Sequence, residues 1–313
     1  MKKRILVVGS SNTDLIIRVP EIPRPGETLL GGGFRTFPGG KGANQAVAAA
    51  RAGGEVNFIA AVGDDSYGTQ AISGYEKDGI HTGNIKVCKG VPSGIAMITI
   101  SDQGENAIVV ASGANAELHP KDLEKAALSF RDADIMLVQL EIPMDTVQKA
   151  VDMCHQLNTL VILNPAPAAE LPDHLLHRVS IITPNETEAA RLTGIPVNDE
   201  QTAANASGVL HDRGIQTVII TLGALGAYVS DKRTGIRTLI PGFRVQAVDS
   251  TAAGDVFNGQ LAVSLAEGRP LDLAVREAHA AAALSVRKLG AQSSIPYREE
   301  TAAFLKENVN QKT

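Results

Sequence analysis

DIMLVQL (134–140), LVILNPA (160–166), SIITPN (180–185) and TVIITLG (217–223) are four short apolar runs, and each ends in polar, glycine or proline residues. Between them lie three stretches with helical character: Met144 to Leu157, Glu186 to Thr193 and Asp199 to Arg213. Gly194 and Gly214 close the last two, where a helix commonly ends in left-handed backbone. Strands that alternate with helices predict an α/β fold with a parallel central sheet covered by helices. Ligands of such sheets bind beyond the carboxyl ends of the strands. Chemistry is therefore expected in the tails Gln139 to Glu141, Asn164 to Pro167, Thr183 to Glu186 and Thr221 to Gly226.

Towards the N-terminus the rhythm begins likewise, with Arg4 to Ser10 as a strand, Ala43 to Ala52 as a small-residue helix and Val56 to Gly63 as a second strand. Two segments break it. Leu15 to Phe37 is rich in Gly and Pro and has no helical period, while Ile95 to Ile100 and Ala107 to Ala111 read as a hairpin around Asp102-Gln103-Gly104-Glu105. Both are expected to be extra strands of a small β-sheet projecting over the strand ends as a lid.

The 313 residues allow two domains of about 150 residues or one α/β domain with an insert. A hydrophobic content of 44% with 20% charged residues is globular composition. Twenty-nine basic against 34 acidic residues leave a net charge of −5, which argues against a nucleic-acid partner because no basic footprint is available. The two cysteines, Cys88 and Cys154, lie in no metal-binding or disulfide pattern. After Met1-Lys2-Lys3-Arg4 the apolar run Ile5 to Val8 is too short for a signal segment, and no stretch approaches the roughly 18 apolar residues of a membrane span. The expectation is a soluble, cytoplasmic protein with no membrane partner.

Several motifs sit where chemistry is expected. Gly39-Gly40-Lys41-Gly42-Ala43-Asn44-Gln45 leads into a helix whose first amides favour anionic or hydroxyl oxygens, though a glycine-rich turn is also simply a turn. No Ser or Thr follows the lysine as a Walker A loop requires. Asp249-Ser250-Thr251-Ala252-Ala253-Gly254-Asp255 opens a helix expected over Val256 to Glu267. Ala252, Ala253 and Gly254 leave their amides open to an oxyanion, and Asp255 is placed either to accept a hydroxyl proton or to cap the helix. Thr221 to Gly226 offers glycines against which a nucleotide can lie. Asn185 and Glu188 suit a hydrated Mg²⁺ and equally suit an N-cap with its capping-box acid. Asn12, Asp14 and Glu141 are suited to vicinal hydroxyls or are solvated loop polars. His174 and His177 have helical spacing but no third ligand nearby.

In this order the motifs resemble the ribokinase-like, or PfkB, family of carbohydrate kinases, over about residues 4 to 300. The resemblance implies a central, mostly parallel sheet with helices on both faces and a small β-sheet lid, in one domain over residues 1–313 with lid segments at about 13–38 and 92–112. It implies transfer of the ATP γ-phosphoryl group to the 5-hydroxyl of D-ribose, with 2-deoxyribose, a ketohexose or adenosine as alternative acceptors. By the same resemblance Asn12, Thr13, Asp14, Gly40, Lys41, Gly42, Ala43, Asn44 and Glu141 hold the sugar, Asp255 is the catalytic base and Ala252, Ala253 and Gly254 form the anion hole. Asn185, Thr221, Leu222, Gly223, Ala224, Leu225, Gly226, Gly254, Asp255 and His279 contact ATP, and Glu188 assists Mg²⁺. Asp249, Thr251, Ser285, Lys288, Gly290 and Ser294 surround an activating K⁺ or similar cation, and a homodimer forms through the lid. Gln260 departs from the family pattern, which has Ala or Gly there. A dinucleotide oxidoreductase would need more glycines than Gly9-Ser10-Ser11-Asn12-Thr13-Asp14 supplies, and a non-catalytic sugar sensor would not need Asp255 behind its run of small residues.

Overall fold

Strand β1, Arg4–Val8, shows the period of two that organises the molecule. Ile5 and Val7 face one hydrophobic layer, and Leu6 and Val8 face the other. In the computed structural model, which describes residues 3–308, β1 lies inside a nine-stranded sheet. The other strands in chain order are β2 (Asn12–Val19), β3 (Phe34–Gly39), β4 (Glu55–Gly63), β5 (Ile85–Cys88), β6 (Gly94–Ser101) and β7 (Asn106–Ala111). They continue with β8 (Ile135–Val138), β9 (Leu160–Leu163), β10 (Ile181–Ile182), β11 (Thr217–Thr221), β12 (Gly226–Asp231) and β13 (Arg237–Pro241). The large sheet runs β13-β12-β11-β10-β9-β8-β1-β4-β5, parallel from β11 to β5 with β12 and β13 antiparallel at one edge. The expected α/β class holds, and each of the four decisive apolar runs contains a strand.

Helices cover both faces. Met144–Leu157, Glu186–Thr193 and Glu200–Asp212 pack on the side of Leu6 and Val8, whereas Lys41–Arg51, Ala253–Ala266 and Leu271–Ser285 pack on the side of Ile5 and Val7. Gly194 adopts the expected left-handed backbone at φ 75°. The strands are shorter than the apolar runs. β10 has two residues, and Thr183, whose amide still bonds Leu163 O of β9 at 3.0 Å, begins its polar tail. No helix among the described residues is long and apolar enough to cross a membrane.

The second sheet, β3-β2-β6-β7, is formed by the two segments outside the rhythm. β2 pairs antiparallel with β3 and parallel with β6, setting Asn12 opposite both Gly39 and Gly94. Asn12 and Asp14 are thus buried members of a strand and not polar residues of a loop, which corrects that alternative. Phe34, Met97, Ile108, Val109 and Val110 of this small sheet are exposed.

Candidate active site

The glycine-rich turn brings the helix Lys41–Arg51 against the tail of β1. Gly40 takes φ 90°, and a Cβ on Gly42 would overlap the Gly9 and Ser10 backbone, so only glycine permits this approach. Ala43 N then donates to Ser10 O at 2.8 Å, and Gly42 N to Ser10 Oγ at 3.2 Å. Glu141, in the tail of β8, locks the same junction by accepting from Ser10 Oγ at 2.5 Å and Lys41 N at 3.0 Å.

Opposite this junction, Asp255 lies in the first turn of Ala253–Ala266, which starts earlier than the expected Val256 because Ala252 takes left-handed backbone, φ 62°, and turns the chain into the helix. The Asp255 side chain does not cap the helix. Its Oδ2 accepts from Asn44 Nδ2 and its Oδ1 from Gln45 Nε2, each at 3.0 Å. Gln45 is in turn held by Gln139 Nε2 at 2.6 Å and itself donates to Asn164 Oδ1 at 3.1 Å. Two helices far apart in sequence thereby aim one carboxylate. Gln45 ends the glycine-rich motif without a role assigned from sequence, and only the fold discloses its contact to Asp255.

Lys41, Asn164, Asn185, Glu188, Thr221, Ala252, Ala253, Gly254 and Asp255 line one cavity of about 200 Å³. Asn12 and Glu141 line a neighbouring cavity of about 420 Å³ beside the β6–β7 hairpin. Three further carboxylates, Asp14, Glu141 and Glu188, lie near enough to Lys41 to act on its charge beside Asp255. Burial alone would push Lys41 down, but these four together hold its ammonium above the ordinary lysine value. Asp255 is raised, first by burial, with Lys41, Asn44 and Gln45 working against the rise. Its place at a helix terminus therefore does not leave it an ordinary carboxylate. Burial, then Glu141 and Asp255, push Asp14 up to about 7.

The anion-hole run is open in part. The Ala253 amide is occupied by Ser250 O at 3.2 Å, whereas the amides of Gly254 and Asp255 make no hydrogen bond among the described residues. Asn185 and Glu188 form a reciprocal capping box, with Glu188 N donating to Asn185 Oδ1 at 2.8 Å and Asn185 N to Glu188 Oε2 at 2.9 Å. The capping-box reading holds, and both residues also line the cavity. Thr221 N bonds Pro184 O at 2.9 Å, which joins the tails of β10 and β11 beside the turn Gly223–Leu225.

Other expected residues stand further off. Leu222 is buried in the core, so only its backbone is available to a nucleotide. The strand alternation puts the Thr13 side chain on the face of β2 opposite Asn12 and Asp14. His279 is buried against Phe257, ring centroids 5.1 Å apart, and lies outside the cavity walls. Asp249 Oδ1 accepts from Thr251 N at 2.9 Å and Oδ2 from Gly290 N at 2.9 Å, which brings two of the expected cation loops together. Lys288 turns its ammonium to Glu300, 3.1 Å away. Gln260 donates to Ser264 Oγ at 3.0 Å, and Ser264 bonds Glu277, so its extra bulk is absorbed between helices away from Asp255. His177 Nδ1 pairs with Asp173 O at 2.6 Å, and no group of three metal-ligating side chains occurs among the described residues.

The pfkB family of carbohydrate kinases matches residues 2–298. A ribokinase of Haemophilus influenzae is 48% identical over 305 residues, covering 97% of this chain and 99% of that protein. A deoxyribokinase of Salmonella typhi is 36% identical with the same two coverages. The structure of Arabidopsis thaliana ribokinase complexed with ribose and ATP superposes with a TM-score of 0.91 at 31% identity, covering 98% of this chain and 99% of that one.

Proposed function

The chain belongs to the pfkB family of carbohydrate kinases, and from that premise we propose that it transfers the γ-phosphoryl group of ATP to the 5-hydroxyl of D-ribose. The observation that carries this reading is the position of Asp255, held on both oxygens beside the amides of Gly254 and Asp255 and across one cavity from Lys41. The acceptor lies towards Asn12, Asp14 and Glu141, and the nucleotide towards Asn185 and the turn Gly223–Leu225. Phosphoryl transfer passes through a loose transition state, so alignment and charge neutralisation do most of the catalysis. Asp255 takes the hydroxyl proton onto a carboxylate that burial has made more basic than usual. Lys41 and the amides of Gly254 and Asp255 receive the charge developing on the transferred group.

Glu188 and Asn185 fit a Mg²⁺ that travels with the nucleotide. The capping box engages only Oε2 of Glu188, and a hard cation carrying phosphates and waters needs few protein oxygens. When bound, the ion neutralises phosphate charge. The loops around Asp249 fit a monovalent cation in the same sense, because the carbonyls of Asp249, Thr251 and Lys288 make no hydrogen bond among the described residues. Ser285, Gly290 and Ser294 complete that proposed set. The small sheet serves as lid and, through its exposed apolar side chains, as the surface of a homodimer. ATP as donor and two buried free thiols suit a cytoplasmic enzyme.

Ribose is favoured over 2-deoxyribose because Asn12 and Asp14 present two fixed polar groups, one of which a missing hydroxyl would leave unpaired. An ADP-release assay across ribose, 2-deoxyribose, fructose and adenosine tests this. Ribose should have the highest kcat/KM, roughly tenfold or more above 2-deoxyribose, and equal efficiency for the two sugars would overturn the ribose assignment.

A further inference from the structure

Asn115 stands in the short turn Gly113–Glu117, outside every motif of the sequence, and it is buried. Its Oδ1 accepts from the Ser11 amide at 2.8 Å and its Nδ2 donates to the Ser11 carbonyl at 3.2 Å. A backbone N–H can only donate and a backbone carbonyl can only accept, so these two bonds fix which end of the Asn115 amide is oxygen. Its Nδ2 also donates to Asn12 Oδ1 at 2.7 Å. That bond fixes the Asn12 amide as well. The carbonyl of Asn12 is turned to Asn115, and its Nδ2 makes no hydrogen bond among the described residues, at the wall of the cavity that both asparagines line.

The room for this contact comes from β6. A Cβ on Gly94, which pairs with Asn12 in the sheet, would overlap both Asn12 Oδ1 and Asn115 Nδ2. Asp14 lies two residues further along β2 on the same face, and its carboxylate offers only acceptors when ionised.

We propose that Asn115 is a positioning residue that holds Asn12 as a hydrogen-bond donor, so that the hydroxyls of the acceptor sugar are read with fixed polarity. One hydroxyl oxygen accepts from Asn12, and another hydroxyl donates its proton to Asp14. The inference rests on the sugar-kinase reading and adds to it which partner supplies the hydrogen in each contact.

Asn115→Asp keeps the acceptor for the Ser11 amide and replaces the donor by an acceptor, which sets oxygen against Asn12 Oδ1 and turns that amide around. The KM for ribose and its calorimetric Kd should rise roughly tenfold or more, the scale of a hydroxyl left with the wrong partner. The KM for ATP should not move, and kcat at saturating ribose should stay within about threefold, since the reacting end is untouched. A merely structural role would shift all of these constants together or none of them, and either pattern overturns the proposal. Asn12→Asp is the second variant. It can still accept from Asn115, so it leaves the Ser11 junction intact while presenting an acceptor to the cavity, and it decides the matter alone if Asn115→Asp fails to fold. Ribose binding by Asn12→Asp as tight as wild type would overturn the donor assignment. Wild-type turnover tests the underlying reading separately. If another sugar proves to be the better acceptor, the same comparison is run with that sugar, and the polarity stands or falls on it.

Discussion

At the scale of residues, the site depends on carboxylates that burial makes reluctant to ionise. Asp255→Asn retains the bonding shape of the side chain but removes the proton acceptor. Turnover should fall at least about a hundredfold while ribose and ATP still bind, and comparable turnover in a variant with a wild-type thermal transition would remove Asp255 from the role of base. Asp14, pushed up to about 7, gains a proton in the free enzyme as pH falls through that value. The acceptor for a sugar hydroxyl is then lost, so kcat/KM for ribose should decline below about pH 7, and Asp14→Asn should lack that limb of the profile. Stability runs the other way. The folded-state value lies above the ordinary 3.8, so the native state binds more protons than the unfolded state between the two and loses stability as pH rises through that window. Replacement by uncharged Asn should therefore raise Tm more at about pH 8 than at about pH 4, and an equal gain at both would contradict the burial argument. Asp255, Lys41 and Asn44 were legible because they lie in glycine-rich or small-residue turns. Gln45 and Asn115 were not, since each acts through a partner about a hundred or more positions away.

At the scale of elements, the parallel strands and their helices were readable because the apolar runs are bounded by turn residues and the helices between them end in glycines. Met144–Leu157 and Glu186–Thr193 have the expected bounds. The antiparallel edge, β12 and β13, went unread because its strands follow the glycine turn without a helix to mark a new unit. Ala253–Ala266 was expected to start three residues late. It is buried along nearly its whole length between neighbouring helices, so it has no polar face to mark its start, and small residues at its opening read as loop. Its N-terminus is the element on which the cation proposal bears. If a monovalent ion orders the turn from Asp249 to Ala252, K⁺ should raise activity severalfold over Na⁺ at constant ionic strength and saturating Mg²⁺, conditions that separate the effect from screening. Asp249→Ala breaks the bonds to Thr251 and Gly290 and should abolish the response. A wild-type rate indifferent to the cation would make these bonds structural only.

At the scale of the whole molecule, two sheets divide the work. The large sheet carries the strand tails that line the cavity and packs against the helix of Asp255, and the small sheet contributes Asn12 and Asp14 from its inner strand. Met97 and Val109 are cross-strand partners on the small sheet and are 63% and 69% exposed, an apolar pair that a second copy would cover. Sedimentation should show a dimer, with Val109→Asp shifting it to monomer, and a wild-type monomer at micromolar concentration would contradict that use of the sheet. In the proposed reaction this architecture directs the phosphoryl group to the primary hydroxyl of ribose. Phosphorus NMR of the product, formed with ATP, Mg²⁺ and ribose, tests it most directly. New monoester phosphorus is expected, each signal split into a triplet by the two protons on C5, and none over the same time with Asp255→Asn. A doublet, from phosphate on a carbon bearing one proton, or inorganic phosphate alone, would contradict it.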